Sequence, residues 1–300
     1  MTTTLSRRSI LMLALGVSAT CIPSVSLALA DGYPNPRFLK EPQSLLSDMT
    51  MKAMGAVVYG STLIDLRPKK DFDAGHIPGA RHLPADAVAA EFGAVAGALR
   101  PVPKIEAMLG ALGIAQDQRI IFYDDRGGFH AARMFWLLEY FGHREVSVLN
   151  GGWTGWLNAG GTVTRDQGGG KPARFEVTLT PRRHATAQDV LAHKDQPGAV
   201  LIDVRPPRLF AEGHIPWAIN VPWSQNLDED GRFLTADALA AHFEGYGITQ
   251  NSDVIMHCQN GLASSHSYLA LRLLDVPRLR VYHRSWAEWG SAGDLPVTTG

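Results

Sequence analysis

The chain contains the same passage twice, and this duplication constrains the fold more than any other feature. Leu63-Ile64-Asp65-Leu66-Arg67-Pro68 returns 138 residues later as Leu201-Ile202-Asp203-Val204-Arg205-Pro206. At the same offset Phe72 meets Phe210, Gly75-His76-Ile77-Pro78 meets Gly213-His214-Ile215-Pro216, Ala80 meets Ala218 and Pro84 meets Pro222. Further on, Ile120-Ile121-Phe122-Tyr123-Asp124 matches Val254-Ile255-Met256-His257-Cys258, and Trp153 and Trp156 match Trp286 and Trp289. The period is too long for a solenoid repeat, so a whole domain has been duplicated. The 300 residues leave room for two domains of roughly 150 each. The glycine run of Arg165-Asp166-Gln167-Gly168-Gly169-Gly170-Lys171-Pro172 marks an exposed linker, placed at 165–175. The domains are then expected at 45–164 and 176–300.

Each half alternates strand and helix. Thr62 to Leu66, Ile120 to Tyr123, Ala199 to Val204 and Val254 to His257 are short apolar runs, the pattern of buried parallel strands. Ala131 to Phe141 and Ser264 to Leu274 carry apolar residues near helical spacing. The fold class is therefore α/β, with two tandem domains, each a mainly parallel sheet covered by helices on both faces. Ligands of such sheets bind beyond the carboxyl ends of the strands. The Asp124 and Cys258 loops occupy that position in the two halves.

The N-terminus reads as an address. Ser6-Arg7-Arg8-Ser9 precedes an apolar run from Ile10 to Leu29 that ends in Ala28-Leu29-Ala30, the layout of a twin-arginine export signal over residues 1–30. Pro23 and the small-residue cleavage site argue against an uncleaved anchor, and Thr20 is a poor neighbour for lipoprotein processing at Cys21. Cleavage would send the mature chain to the periplasm and move its net charge from −1 to −3. No basic field is left to draw it to nucleic acid, and nothing would hold it at a membrane. Cleavage also removes one of the two cysteines and leaves Cys258. A lone thiol in an oxidising compartment is either inertly buried or kept for chemistry.

Cys258-Gln259-Asn260-Gly261-Leu262-Ala263-Ser264 follows a strand and opens a helix. Amides at a helix N-terminus favour negative charge, and such a setting promotes the thiolate form of a cysteine. Gly261 lets the loop curl so that several N–H groups converge. The loop is thus expected to hold a thiolate, a persulfide or an anionic substrate end.

Asp-x-Arg-Pro followed by Gly-His-Ile-Pro in both halves resembles the rhodanese family. So do the cysteine loop, Ser285-Trp286-Ala287-Glu288-Trp289, and in the first half Tyr123-Asp124, Arg133, Phe141-Gly142-His143 and Val148-Leu149-Asn150-Gly151-Gly152-Trp153. The resemblance covers about residues 45 to 298 and is similar to the two-domain thiosulfate and 3-mercaptopyruvate sulfurtransferases. It implies that Cys258 takes sulfane sulfur from an anionic donor and passes it to cyanide or a thiol, with no metal or organic cofactor. The backbone amides of Gln259, Asn260, Gly261, Leu262, Ala263 and Ser264 would bind the transferred group. Phe129 and His130 would face the site across the domain cleft. Asp124 at the cysteine position implies a first half that is inactive scaffold. A monomer is expected, with only small donors and acceptors as partners.

Three departures from the family pattern stand out. Ala263 replaces a basic residue or threonine, and Gln259 and Asn260 replace the basic pair of the thiosulfate type. Leu209 holds the position of a substrate-clamping arginine, with Arg208 one residue earlier as its candidate substitute. His283-Arg284 stands where Asp-Gly is usual, and Arg284 either adds positive potential to the loop or is solvated. The reading is a thiosulfate-type sulfurtransferase, with a 3-mercaptopyruvate enzyme and a non-enzymatic persulfide carrier or anion-binding module as alternatives. A tyrosine-type phosphatase requires arginine six residues after its cysteine, and that residue here is Ser264. His76 and His214 lie in repeated turns far from a second ligand and read as structural. His257 and His266 flank the loop, His266 more as an interdomain or surface residue than as a thiol polariser. Asp65-Arg67 and Asp203-Arg205, present in both halves, read as fold-stabilising pairs, and the tryptophans as packing.

Overall fold

The computed structural model describes residues 32–57, 60–89 and 98–300. The expected export signal, with Cys21, lies outside the described residues. The first half runs β1 (Leu39–Lys40), α1 (Pro42–Ala53), β2 (Thr62–Asp65), α2 (Lys69–Ala74), β3 (Arg81–His82), α3 (Val102–Ala111), β4 (Ile120–Tyr123), α4 (Phe129–Tyr140), β5 (Val146–Leu149) and α5 (Gly152–Asn158). The second runs α6 (Ala187–His193), β6 (Ala199–Asp203), α7 (Pro207–Glu212), β7 (Ala218–Asn220), α8 (Ala236–Glu244), β8 (Asp253–His257), α9 (Leu262–Leu273), β9 (Arg278–Val281) and α10 (Ser285–Trp289).

All strand pairs are parallel, in the orders β1-β5-β4-β2-β3 and β7-β6-β8-β9. Where β1 flanks β5 in the first sheet, a single parallel bridge from His184 to Val281 flanks β9 in the second. The two sheets therefore share one topology. The first sheet recruits Leu39–Lys40, ahead of the boundary drawn at residue 45, because β5 would otherwise present an open edge.

Strand side chains alternate between two cores, as the pleat requires. Ile64, Phe122 and Val148 face inward between the domains, while Leu63, Ile121, Tyr123 and Leu149 join Phe72 and Trp156 on the outer face. Leu201 and Ile255 do the same in the second half, with Tyr282 and Trp289. The inner cores of the two halves merge into one, with α4 and α9 packed together at the junction. Glu139 of α4 locks the seam by accepting from Arg272 at 2.9 and 3.0 Å and from the Tyr268 hydroxyl at 2.6 Å. The linker is exposed but anchored: Ala173 N–H donates to Gly110 O, and Phe175 is buried.

The repeated turns have one construction. Arg67 grips both oxygens of buried Asp65 and donates to Gly75 O at 2.8 Å, and Arg205 does the same to Asp203 and Gly213 O. Each guanidinium lies over a tryptophan, Trp153 or Trp286. His76 and His214 stack on Phe72 and Phe210 and bond their carbonyls. These residues are used by the fold in both halves alike.

Candidate active site

Cys258 follows β8 directly, and the loop turns into α9 through Gly261 at φ 85°. The helix starts two residues earlier than its apolar pattern suggests, because the left-handed glycine caps it there. Cys258 is 2% exposed. Gly261 N–H donates to its Sγ at 3.1 Å, and the hydroxyls of Ser264 and Ser285 stand 3.6 and 3.9 Å from the sulfur. Ser285 accepts the Cys258 N–H at 3.1 Å and donates to Tyr282 O. Those bonds hold it at φ 53°, an uncommon conformation for a residue with a side chain. The first amides of α10 complete the frame: Trp286 N–H donates to Cys258 O and Ala287 N–H to Gln259 O.

Of the loop amides expected to surround the sulfur, only that of Gly261 bonds it directly. Leu262, Ala263 and Ser264 are the first three residues of α9, whose N–H groups have no intrahelical acceptor. The first half shows what such amides hold. There Asp124 places its carboxylate in the equivalent turn, accepting from Arg126 and Gly128 on Oδ1 at 2.8 and 3.0 Å, and from His130 and Ala131 on Oδ2 at 2.7 and 2.9 Å. Four amides converge on one anion.

A cleft of about 710 Å³ beside the loop is walled mainly by the first domain, through Arg67, Lys69, His82, Asp86, Arg126, His130 and Arg133. Asn260 and Leu262 of the cysteine loop also line it. His130 therefore faces the cleft, its pKa lowered by burial. Phe129 instead packs on Trp223, with ring centroids 4.8 Å apart, and helps close the domain seam.

Arg208 does not reach the site. It is exposed and pairs with Glu212 one turn along α7, because its position on that short helix faces solvent. Arg284 is also engaged elsewhere, 2.9 Å from Glu288. His257 is fully buried, 3.7 Å from Asp203, and stays neutral because burial lowers its pKa. His266 is interdomain: Nε2 donates to Gly127 O at 3.0 Å and Nδ1 accepts from Asn226 at 3.3 Å. Burial pushes its pKa down to about 4.

The residue that sequence reasoning left without a role is Arg133. Its Nη1 donates to Gly261 O at 2.7 Å, so a first-domain guanidinium holds the cysteine loop. The available signal was a charged residue inside a stretch, Ala131 to Leu138, that is otherwise apolar and wholly buried.

A family model, that of the rhodanese-like domain, matches residues 46–159 and again 186–292. The sulfur carrier protein TtuD of Thermus thermophilus is 33% identical over 256 residues, 76% of this chain and 87% of its own. A thiosulfate sulfurtransferase of Pseudomonas aeruginosa is 32% identical over 245 residues, 78% of this chain and 90% of its own. The crystal structure of SseA, a 3-mercaptopyruvate sulfotransferase from Escherichia coli, has a TM-score of 0.72 at 28% identity, covering 83% of this chain and 98% of that one.

Proposed function

From the premise that this chain belongs to the rhodanese family, as a tandem-domain relative of the sulfurtransferases, we propose that it carries sulfane sulfur on Cys258 from thiosulfate to a thiophilic acceptor. The Cys258 thiolate attacks the outer sulfur of thiosulfate. The new sulfur–sulfur bond forms as the old one breaks, and sulfite leaves with the electron pair. Cyanide, or a thiolate, then attacks the terminal sulfur of the persulfide, and Cys258 recovers its thiolate. Two half-reactions through a covalent intermediate give ping-pong kinetics.

The observation that carries this reading is the pair of equivalent turns. Where the first turn is filled by its own carboxylate, the second ends in a thiol with a glycine amide on its sulfur. An anionic sulfur has amide donors there, and amides aimed at developing charge are an effective form of stabilisation. The assay is thiocyanate formation from thiosulfate and cyanide, with 3-mercaptopyruvate as the parallel donor and Cys258→Ser as control. Turnover with thiosulfate that the control loses by at least about a thousandfold is expected. A clear preference for 3-mercaptopyruvate would replace the donor, and turnover surviving in the control would overturn the mechanism.

The cleft favours a second reading. Its 710 Å³ is far more than a small anion needs, so the cleft that Asn260 and Leu262 border has room for a larger acceptor, as a sulfur carrier requires. Persulfide formation without steady turnover to cyanide would select the carrier. The twin-arginine reading of residues 1–30 adds a periplasmic location, which fractionation of cells with Arg7→Lys and Arg8→Lys tests: the doubly substituted chain should stay in the cytoplasm.

A further inference from the structure

Arg133 and His266 occupy the same position on the two duplicated helices, each the fifth residue after the capping glycine, Gly128 or Gly261. Each crosses the domain seam to bond a loop carbonyl of the other half, Arg133 to Gly261 O and His266 to Gly127 O. The exchange is symmetric in geometry and asymmetric in charge. The side that receives the cation is the side with the thiol, and the side with a built-in carboxylate receives a neutral imidazole.

Arg133 is only 5% exposed. Among the described residues no carboxylate lies within ion-pair distance of it, whereas the other arginines buried with it, Arg67, Arg205 and Arg272, are each paired. Burying an unpaired guanidinium is costly. Burial brings its pKa down to about 10, opposed only by Cys258. The cysteine loop meanwhile holds no basic side chain between Cys258 and Ser264.

We propose that Arg133 of the first domain is the positioning cation of the Cys258 site: it fixes the Gly261 turn through its carbonyl and supplies the positive charge that the loop lacks. The Asp124 half is then part of the catalytic apparatus and not only scaffold. Because the guanidinium borders the cleft as well as the turn, it also draws anionic reactants to the sulfur.

This inference rests on the reading of Cys258 as the reactive thiol, and its test needs neither a donor nor an acceptor. Alkylation of Cys258 is timed with iodoacetate, which is anionic, and with iodoacetamide, which is neutral, by peptide mass analysis of the full chain. Both reagents sample the same thiolate, so the ratio of their rates reads the local field alone. A unit charge a few ångströms away through a partly desolvated medium changes that ratio by about tenfold. Arg133→Met should lower the ratio about tenfold, while Arg133→Lys should stay within about twofold of the native chain. An unchanged ratio in a folded Arg133→Met chain overturns the proposal. If that variant does not fold, the native chain decides: its ratio must exceed that of free N-acetylcysteine several-fold, and a ratio equal to or below the free thiol's overturns the proposal.

Discussion

The two halves place one turn around two different groups. In the first, Asp124 fills the turn with its own carboxylate and satisfies four amides from within the chain. In the second, Cys258 takes one amide, and two serine hydroxyls stand near its sulfur. The first loop also has one more residue between its chemical group and its capping glycine, Asp124 to Gly128 against Cys258 to Gly261. A turn that is internally neutralised is finished as structure. A turn that ends in a thiol, with a cation set against its carbonyl, remains available for an anionic sulfur. Duplication supplied the same turn twice, and the residue at its base sets whether its amides are satisfied from within the chain.

The capping glycines separate the two turns most strongly. Both sit at φ near 85°. A methyl group on Gly261 would press into Arg133 Nη1 and His283 O, whereas one on Gly128 would meet only ordinary contacts, 3.4 Å to Val148 and 3.7 Å to Phe233. Gly261→Ala should cost about 3 kcal/mol or more and at least a hundredfold in turnover, from left-handed strain plus overpacking. Gly128→Ala should cost only about 1–2 kcal/mol, the strain alone, with turnover nearly kept. Denaturant melts and the thiocyanate assay compare the pair, and equal losses would mean that the two turns are not differently used.

Asp124→Asn probes the anion of the first turn. The amide nitrogen cannot accept the two N–H groups that one carboxylate oxygen now serves, so stability should fall by about 2–3 kcal/mol in the same melts. A neutral result would show that the first turn does not depend on its anion.

The smallest effect is in the acid dependence of the seam. Burial holds His266 at about 4, against about 6.5 in an unfolded chain. Between those values the unfolded chain binds a proton that the folded one refuses. The stabilisation is therefore complete above about pH 6.5 and is lost as pH falls toward about 4. His266 alone should account for roughly 2 kcal/mol of loss between about pH 7 and pH 5, and His283, pushed down to about 3, adds in the same direction. His266→Gln keeps an N–H for Gly127 O and should flatten that part of the melting profile. A profile unchanged by the substitution would contradict the assignment.

Much of this was legible in the sequence. The duplication and its apolar runs specify two parallel α/β units, because a strand buried on both faces has to read as continuous hydrophobic sequence. Cys258 was legible because it follows a strand and precedes a glycine and a helix. Arg133 was not legible as a site residue. It lies in the other domain, and its role depends on how α4 and α9 cross, which the residue pattern of either half does not encode. Arg208 was misplaced for the opposite reason. Nearness in sequence to a family position says nothing about which way a residue on a short helix points. The exposure of α7 decides that, and it turns Arg208 toward Glu212.

On this reading Cys258, and not the Asp124 half, carries the sulfur. Intact and peptide mass analysis of the protein after exposure to thiosulfate, and separately to 3-mercaptopyruvate, tests it most directly. One added sulfur atom is expected on the peptide that contains Cys258, removed again by cyanide with release of thiocyanate. A chain that turns over either donor while that peptide never gains sulfur would contradict it.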